Sequence, residues 1–179
     1  MSAYITLATP MIDQECLVAA LADMGFGADR VEVHHESVPL VGYEGERRNR
    51  TAHVVIRRQH VGDASNDIGF ERRPTGFRVH VSDYDRTQYG RAWLRELQAR
   101  YEHHDAVKHE QLRRAMREAA EIEARRLAEM EARRREEQRK ELVEAQRQAV
   151  QQKARELGYR VQETREGDRI RLVLVKRVY

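Results

Sequence analysis

Residues 131–141 read EARRREEQRKE, and Ala132 is the only apolar residue among them. The surrounding segment, residues 88–157, contains no proline and, after Gly90, no glycine. This composition favours helix throughout, and at about 1.5 Å per residue such a helix would span roughly 100 Å. The segment is too polar to form a hydrophobic core. We therefore predict a small folded body from which a long charged helical insertion, residues 107–157, emerges.

A weak apolar seam runs along this helix at roughly three- and four-residue spacing, which is typical of helix–helix contact. The seam is rich in alanine and poor in leucine and isoleucine, so it would make only a weak coiled coil. The residues of the predicted seam are Leu112, Met116, Ala119, Leu127, Met130, Leu142 and Val150. They indicate a protein partner or self-association.

The apolar positions are mirrored about residue 133, as three pairs show: Leu112 with Ala154, Met116 with Val150, and Ala124 with Leu142. Two arrangements produce such a mirror. In one, the helix folds back as a helical hairpin with its tip near residues 133–137. In the other, two chains run antiparallel and exchange their tails. The residues at the supposed tip are good helix formers, which favours the continuous helix, but both arrangements stay open.

The chain before the helix shows local signals of a β-rich body. A short β-type run covers residues 4–8, and Asp13 has the position of an N-cap for a helix with Leu17, Ala20 and Leu21 on its buried face. Residues 30–40 and 51–58 are predicted strands, and residues 67–72 and 77–81 form the clearest hairpin around a Pro-Thr-Gly turn. Residues 60–66 are polar, and we predict a flexible loop there.

The chain after the helix predicts a second hairpin. Gly158 ends the helix, and residues 159–164 and 168–178 alternate around a turn at residues 166–168. The predicted fold is therefore α+β: an antiparallel sheet with two helices, the second extended into a long charged helix or helical hairpin, followed by a C-terminal β-hairpin. We group residues 1–106 with 158–179 as one domain, because an isolated two-stranded hairpin is only marginally stable.

Composition and cysteine content exclude several classes of protein. The 179 residues carry a net charge of +3 and are 35% charged but only 6% aromatic. Cys16 is the only cysteine, so no internal disulfide can form, and we expect it to be a buried structural residue. The chain has neither a signal-peptide pattern nor an apolar run long enough for a membrane span. We predict a cytoplasmic protein.

The candidate sites are few. Arg47, Arg48 and Arg50 gather beside Tyr43 in one turn, where they could contact nucleic acid or another anion, although a solvated turn is the simpler interpretation. The histidines fit no zinc spacing, and no nucleophile or acid–base pair stands out. We expect no metal, no cofactor and no catalytic residue, and hence a non-catalytic protein; an enzyme is the minor alternative.

Several short motifs, taken in order, resemble one family. They are GYEG at residues 42–45, TAHVVI at 51–56, DIGF at 67–70, RYEH at 100–103, LGY at 157–159 and IRLVL at 170–174. The family is the hypothetical chloroplast reading frame 35 family of plastids and bacteria, also called domain of unknown function 1257. The resemblance covers residues 1–107 and 150–179, with about 40 residues inserted near 107–148. It implies the fold but brings no assigned activity.

These observations favour a non-catalytic assembly or adaptor protein whose long helix binds or spaces a partner. The alternative is an RNA- or DNA-binding protein that uses the arginines of the turn together with those of the helix. A binding affinity that falls steeply with salt would distinguish the second function from the first.

Overall fold

A computed structural model describes residues 3–166 and 169–176 of the chain. The fold is α+β, as the sequence predicts. In chain order the elements are β1 (Tyr4–Ala8), α1 (Gln14–Asp23), β2 (Val31–Val41), β3 (Arg47–Ile56), α2 (Arg58–Val61), β4 (Ile68–Arg73), β5 (Gly76–Ser82), α3 (Arg86–Tyr89), α4 (Arg91–Glu156), β6 (Tyr159–Glu166) and β7 (Arg169–Lys176).

The first five strands form one antiparallel sheet in the order β1-β5-β4-β3-β2. The bounds predicted for β1 and the predicted hairpin of β4 with β5 are confirmed. The outer strand β2 is irregular, because its register with β3 shifts between Val33 and Val38 and again between Pro39 and Val41. The two halves of β2 therefore pair with β3 in different registers.

Helix α1 begins as the sequence predicts. The Asp13 carboxylate accepts a hydrogen bond from the backbone N–H of Cys16 at 3.0 Å, which satisfies one of the free N–H groups of the first turn. Leu17, Ala20 and Leu21 are fully buried. Cys16 is buried as well, so the prediction of a structural cysteine is confirmed. Burial raises the pKa of its thiol.

The main core lies between the sheet and the helices. The only tryptophan, Trp93 at the start of α4, has its ring 5.4 Å from Tyr89, 6.3 Å from Phe26 and 6.4 Å from Phe70, measured between centroids. One turn further on, Leu97 is fully buried. Each of these contacts joins the first turns of α4 to the body. A second, smaller cluster of buried residues contains Leu40, Ala52 and Val55.

Helix α4 is continuous from Arg91 to Glu156, a length of 66 residues. No turn interrupts residues 133–137, so the helical hairpin, one of the two forms that the sequence left open, is wrong for this chain. Ion pairs one turn apart join Glu131 to Arg135 and Glu136 to Lys140. Such pairs support a solvated helix by a few tenths of a kcal/mol.

The chain divides into two units, Met1–Arg114 and Ala115–Tyr179. In the second unit β6 and β7 form a separate two-stranded sheet, with Tyr159 opposite Lys176. Gly167 and Asp168 of the predicted turn lie outside the described residues. The predicted grouping of residues 158–179 with 1–106 in one domain stays a prediction.

Within the second unit the hairpin contacts the last turns of α4. The guanidinium of Arg147 donates a hydrogen bond to the Glu163 carboxylate at 2.6 Å, and Ala154 is buried. Among the described residues, no helix is long and apolar enough to cross a membrane.

Candidate functional site

The four residues of the predicted basic turn have different surroundings in the structure. The ring of Tyr43 is exposed, and its hydroxyl donates a hydrogen bond to the Glu44 carboxylate at 2.7 Å. Arg48 forms an ion pair with Glu46 at 2.5 Å, and only 15% of its side chain is exposed. Arg47 and Arg50 are exposed, and neither has an ion pair with a carboxylate in the described part of the chain.

Arg50 lines a cleft of about 350 Å³ on the sheet, together with residues from three other strands. Arg47 and Arg48 are not part of this lining. The lining residues are Thr6 of β1, Asn49, Arg50 and Thr51 of β3, Glu71 and Arg73 of β4, and Arg78 and His80 of β5. We call this site the sheet cleft. It is polar throughout and carries three arginines against one glutamate.

The register of the strands explains why these side chains converge. Arg78 lies opposite Glu71, and His80 lies opposite both Gly69 and Thr6. Since alternate residues of a strand point to the same face of a sheet, Arg78 and His80 share a face, and so do Glu71 and Arg73. The cleft is therefore fixed by backbone pairing between β1, β4 and β5, with β3 contributing its own residues.

His80 forms the buried side of the sheet cleft, and 2% of it is exposed. Its Nδ1 lies 3.1 Å from the Thr6 hydroxyl, and its Nε2 lies 3.4 Å from the Glu71 carboxylate. Burial lowers the pKa of His80, and the neighbouring Glu71 opposes this shift without cancelling it. The imidazole is therefore neutral near pH 7 and can take part in hydrogen bonds as a fixed polar group.

The charges of the cleft are unequally compensated. Arg73 is held by Glu71, whose carboxylate lies 2.6 Å from its guanidinium. Arg50 and Arg78 have no such carboxylate partner among residues 3–166 and 169–176. Two arginines thus present unpaired positive charge to one small polar cleft.

The predicted seam of α4 is exposed. Its large side chains are 42–69% exposed, and they are Leu112, Met116, Leu127, Met130, Leu142 and Val150. Ala119 is exposed too. The structure contains no partner for this face, so its predicted role in helix–helix contact stays a prediction.

A periodicity in α4 escaped the search for heptads. Five leucines recur every 15 residues: Leu97, Leu112, Leu127, Leu142 and Leu157. At 3.6 residues per turn, each step of 15 residues overshoots four full turns by about 60°. A stripe of this period exceeds 3.6 residues per turn, which is typical of right-handed supercoils. A search at spacings longer than seven would have found it.

A second feature that the sequence did not reveal is a buried polar segment, Ser65, Asn66 and Asp67. The sequence predicts a flexible loop for residues 60–66. That prediction is wrong at its end, where the side chains take up the backbone N–H groups and charges of neighbouring segments.

The Asp67 carboxylate is the centre of this segment. It accepts hydrogen bonds from the backbone N–H of Val41 at 2.9 Å, from the guanidinium of Arg57 at 2.9 Å and from the N–H of Arg58 at 2.8 Å. Its backbone carbonyl accepts one from the Tyr4 hydroxyl at 2.9 Å. Burial raises the pKa of Tyr4 far above its ordinary value. All acceptors of Asp67 are occupied by the chain itself, so the segment stabilises the fold.

The histidines form ion pairs or lie on the surface. His34 lies 3.0 Å from Glu32, and His104 lies 2.7 Å from Asp23. Among the described residues, no group of three or more histidine, cysteine, aspartate or glutamate side chains could hold a metal ion.

Comparison with known proteins identifies a family. No curated protein and no solved structure shows significant similarity to the chain. The sequence profile of one family matches residues 20–116, which is more than half of the chain and includes β2 to β5 and the first turns of α4. Most of the charged helix lies beyond the matched region. The chain belongs to the family described as "Protein of unknown function (DUF1257)".

Proposed function

We propose that this protein is a non-catalytic assembly protein, and that its helix α4 binds α4 of a second copy in antiparallel orientation. The observation that supports the proposal is the exposure of the seam. Met116 is 65% exposed and Met130 is 69% exposed on a helix that continues unbroken past them. Removing such side chains from water is favourable by roughly 1–3 kcal/mol each.

The mirrored spacing supports a second copy as the occupant. Leu112, Met116 and Ala124 mirror Ala154, Val150 and Leu142 about residue 133. Because α4 does not fold back, one chain cannot bring these positions together by itself. An antiparallel partner with the same sequence can do so, and it repeats each contact by two-fold symmetry.

The two apolar stretches of the helix also share one spacing. Leucine is followed by alanine after 3, 7 and 12 residues, at Leu112, Ala115, Ala119 and Ala124 and again at Leu142, Ala145, Ala149 and Ala154. Small side chains allow two helices to approach closely. Ala154 already contacts other residues of its own chain, being 3% exposed, so the paired surface would end before it.

Nucleic-acid binding by the helix has less support. The arginines of α4 are largely engaged with neighbouring glutamates, as in the pairs of Arg113 with Glu110, Arg125 with Glu129 and Arg133 with Glu137. Interleaved charges of this kind are typical of a solvated helix. The cytoplasmic location remains a prediction from the sequence.

The first experiment measures the mass of the protein by sedimentation equilibrium over a wide range of concentrations. We expect a reversible dimer, and we expect Met116→Glu to weaken it at least tenfold, because a carboxylate would be buried on each chain. Ala128→Glu is the matched control, since residue 128 lies about 120° around the helix from residue 116. A wild-type monomer at every concentration would contradict the proposal.

A second measurement tests the orientation in a Cys16→Ser background. With the antiparallel pairing, a single cysteine at position 133 lies beside its own copy, whereas a cysteine at position 112 does not. We therefore expect a short bifunctional thiol reagent to link the chains of Arg133→Cys but not those of Leu112→Cys. Linking of both variants would show a parallel pair instead.

A further inference from the structure

The sheet cleft has the features of an anion site, although the proposed assembly through α4 makes no use of it. Arg50, Arg73 and Arg78 come from three different strands and line one volume of about 350 Å³. Like charges that converge in this way repel each other, and a bound anion relieves the repulsion. Because the three residues lie on paired strands, their positions do not depend on a loop.

We propose that the sheet cleft binds a terminal phosphate group, either as inorganic phosphate or as the phosphate of a small monoester. The charge balance supports this class of ligand. Glu71 neutralises Arg73 at 2.6 Å, which leaves Arg50 and Arg78 to face the two charges of a phosphate dianion. Guanidinium groups match the geometry of phosphate oxygens and bind them through paired hydrogen bonds.

The neutral residues of the cleft supply further hydrogen-bonding groups. Asn49 and Thr51 line the cleft on either side of Arg50. Thr6 and His80 close it from β1 and β5, and their mutual contact of 3.1 Å fixes both side chains. A phosphate in this position would thus meet two cations and several neutral polar groups, as phosphate sites in proteins do.

The size of the cleft favours a small ligand over a nucleic-acid strand. A volume near 350 Å³ lies at the lower end of the range for small-molecule sites, about 300–1,000 Å³. Strand-binding proteins place aromatic side chains along a groove to stack the bases. The residues lining the cleft include no tyrosine, tryptophan or phenylalanine.

The test uses the full-length chain and follows the imidazole resonances of His80 by NMR during titration with inorganic phosphate and, separately, with phenyl phosphate. We expect saturable shifts with both probes. Tighter binding of phenyl phosphate would identify a monoester as the better ligand, and equal binding would identify free phosphate. Absence of saturable shifts with both probes would overturn the proposal.

The variant that tests the assignment is the double substitution Arg50→Gln with Arg78→Gln. Each lost arginine removes charge-assisted hydrogen bonds, so we expect affinity to fall roughly tenfold per residue. The matched control is Arg117→Gln with Arg126→Gln, which removes the same charge from exposed positions of α4. Equal loss in both double variants would overturn the site, because the effect would then follow net charge alone.

A third arm separates a terminal phosphate from a polynucleotide backbone. An unphosphorylated DNA oligonucleotide carries only internal phosphodiesters, which have a single charge each. We expect it not to displace phenyl phosphate from the cleft at matched ionic strength. If it displaces phenyl phosphate as well as inorganic phosphate does, the cleft recognises a nucleic-acid strand and the proposal is wrong.

Discussion

Leu97 and Leu127 belong to the same helix and to the same 15-residue series, yet Leu97 is fully buried whereas Leu127 is 56% exposed. The first contacts the core of the body, and the second has no partner within its chain. The same residue type at the same period thus contributes to folding at one end of α4 and is left available at the other. The difference teaches that the length of α4 is not required by the core of the body.

The largest expected effect comes from truncating this pair of leucines separately. Leu97→Ala should lower the free energy of unfolding of the body by about 2–5 kcal/mol, because it creates a cavity in a packed core. Leu127→Ala, the matched control, should change it by less than about 0.5 kcal/mol. Urea denaturation followed by Trp93 fluorescence measures the body alone, since Trp93 is the only tryptophan and lies in that core. Equal effects of the two substitutions would contradict the comparison.

A smaller effect should follow from Asp67→Asn, which again distinguishes the body from the helix. The substitution removes the charge that pairs with Arg57 and perturbs three hydrogen bonds to a side chain that is 1% exposed. We expect a loss of about 2–4 kcal/mol in the Trp93 transition, because the guanidinium loses its buried partner.

The control for this substitution is Asp63→Asn, which removes the same charge at an exposed position four residues earlier. Circular dichroism at 222 nm reports mainly on α4 and should show little change in the helix signal of either folded variant. An unaltered Trp93 transition in Asp67→Asn would show that the buried polar segment does not stabilise the body.

The smallest effect concerns pH. The pKa of His80 lies below its ordinary value of 6.5 in the folded chain, mainly because of burial, and the charged groups around it are Glu71, Arg50 and Arg78. As the pH falls, the unfolded chain therefore binds the proton first, and this contribution to stability is lost as the pH drops below about 6.5. It is fully present above that value.

Replacing His80 by asparagine should flatten the decrease in Trp93-detected stability between neutral and mildly acidic pH. His109→Asn is the control, because the side chain of His109 on α4 is 63% exposed. If the acid sensitivity of the body is the same in His80→Asn as in the wild type, His80 does not cause it. His53 also has a lowered pKa, so some sensitivity should remain in the variant.

Much of the fold could be predicted because its signals are local. The Asp13 cap, the turn before β5 and the charged stretch around residue 133 each act within a few residues, and all three appear in the structure as predicted. The polar residues before β4 were misread, because only tertiary contacts make them buried.

The sheet cleft could not be predicted from spacing. It combines Thr6, Arg50 and Arg78, which are distant in sequence and meet only through the register of β1, β3, β4 and β5. The sequence drew attention to Arg50 for its neighbours in the turn, whereas in the structure its cationic neighbours in the cleft are Arg73 and Arg78. The 15-residue leucine period was present in the sequence and needed only a wider search.

The irregular pairing of β2 has a consequence for aggregation. An edge strand offers free backbone groups to which another chain can add, and bulges, prolines and charges along the edge oppose such addition. Strand β2 combines two register shifts with Pro39 and with Glu32 and Glu36. This edge of the sheet is thus a poor template for fibril growth, which suits a protein whose long helix would hold copies of it close together.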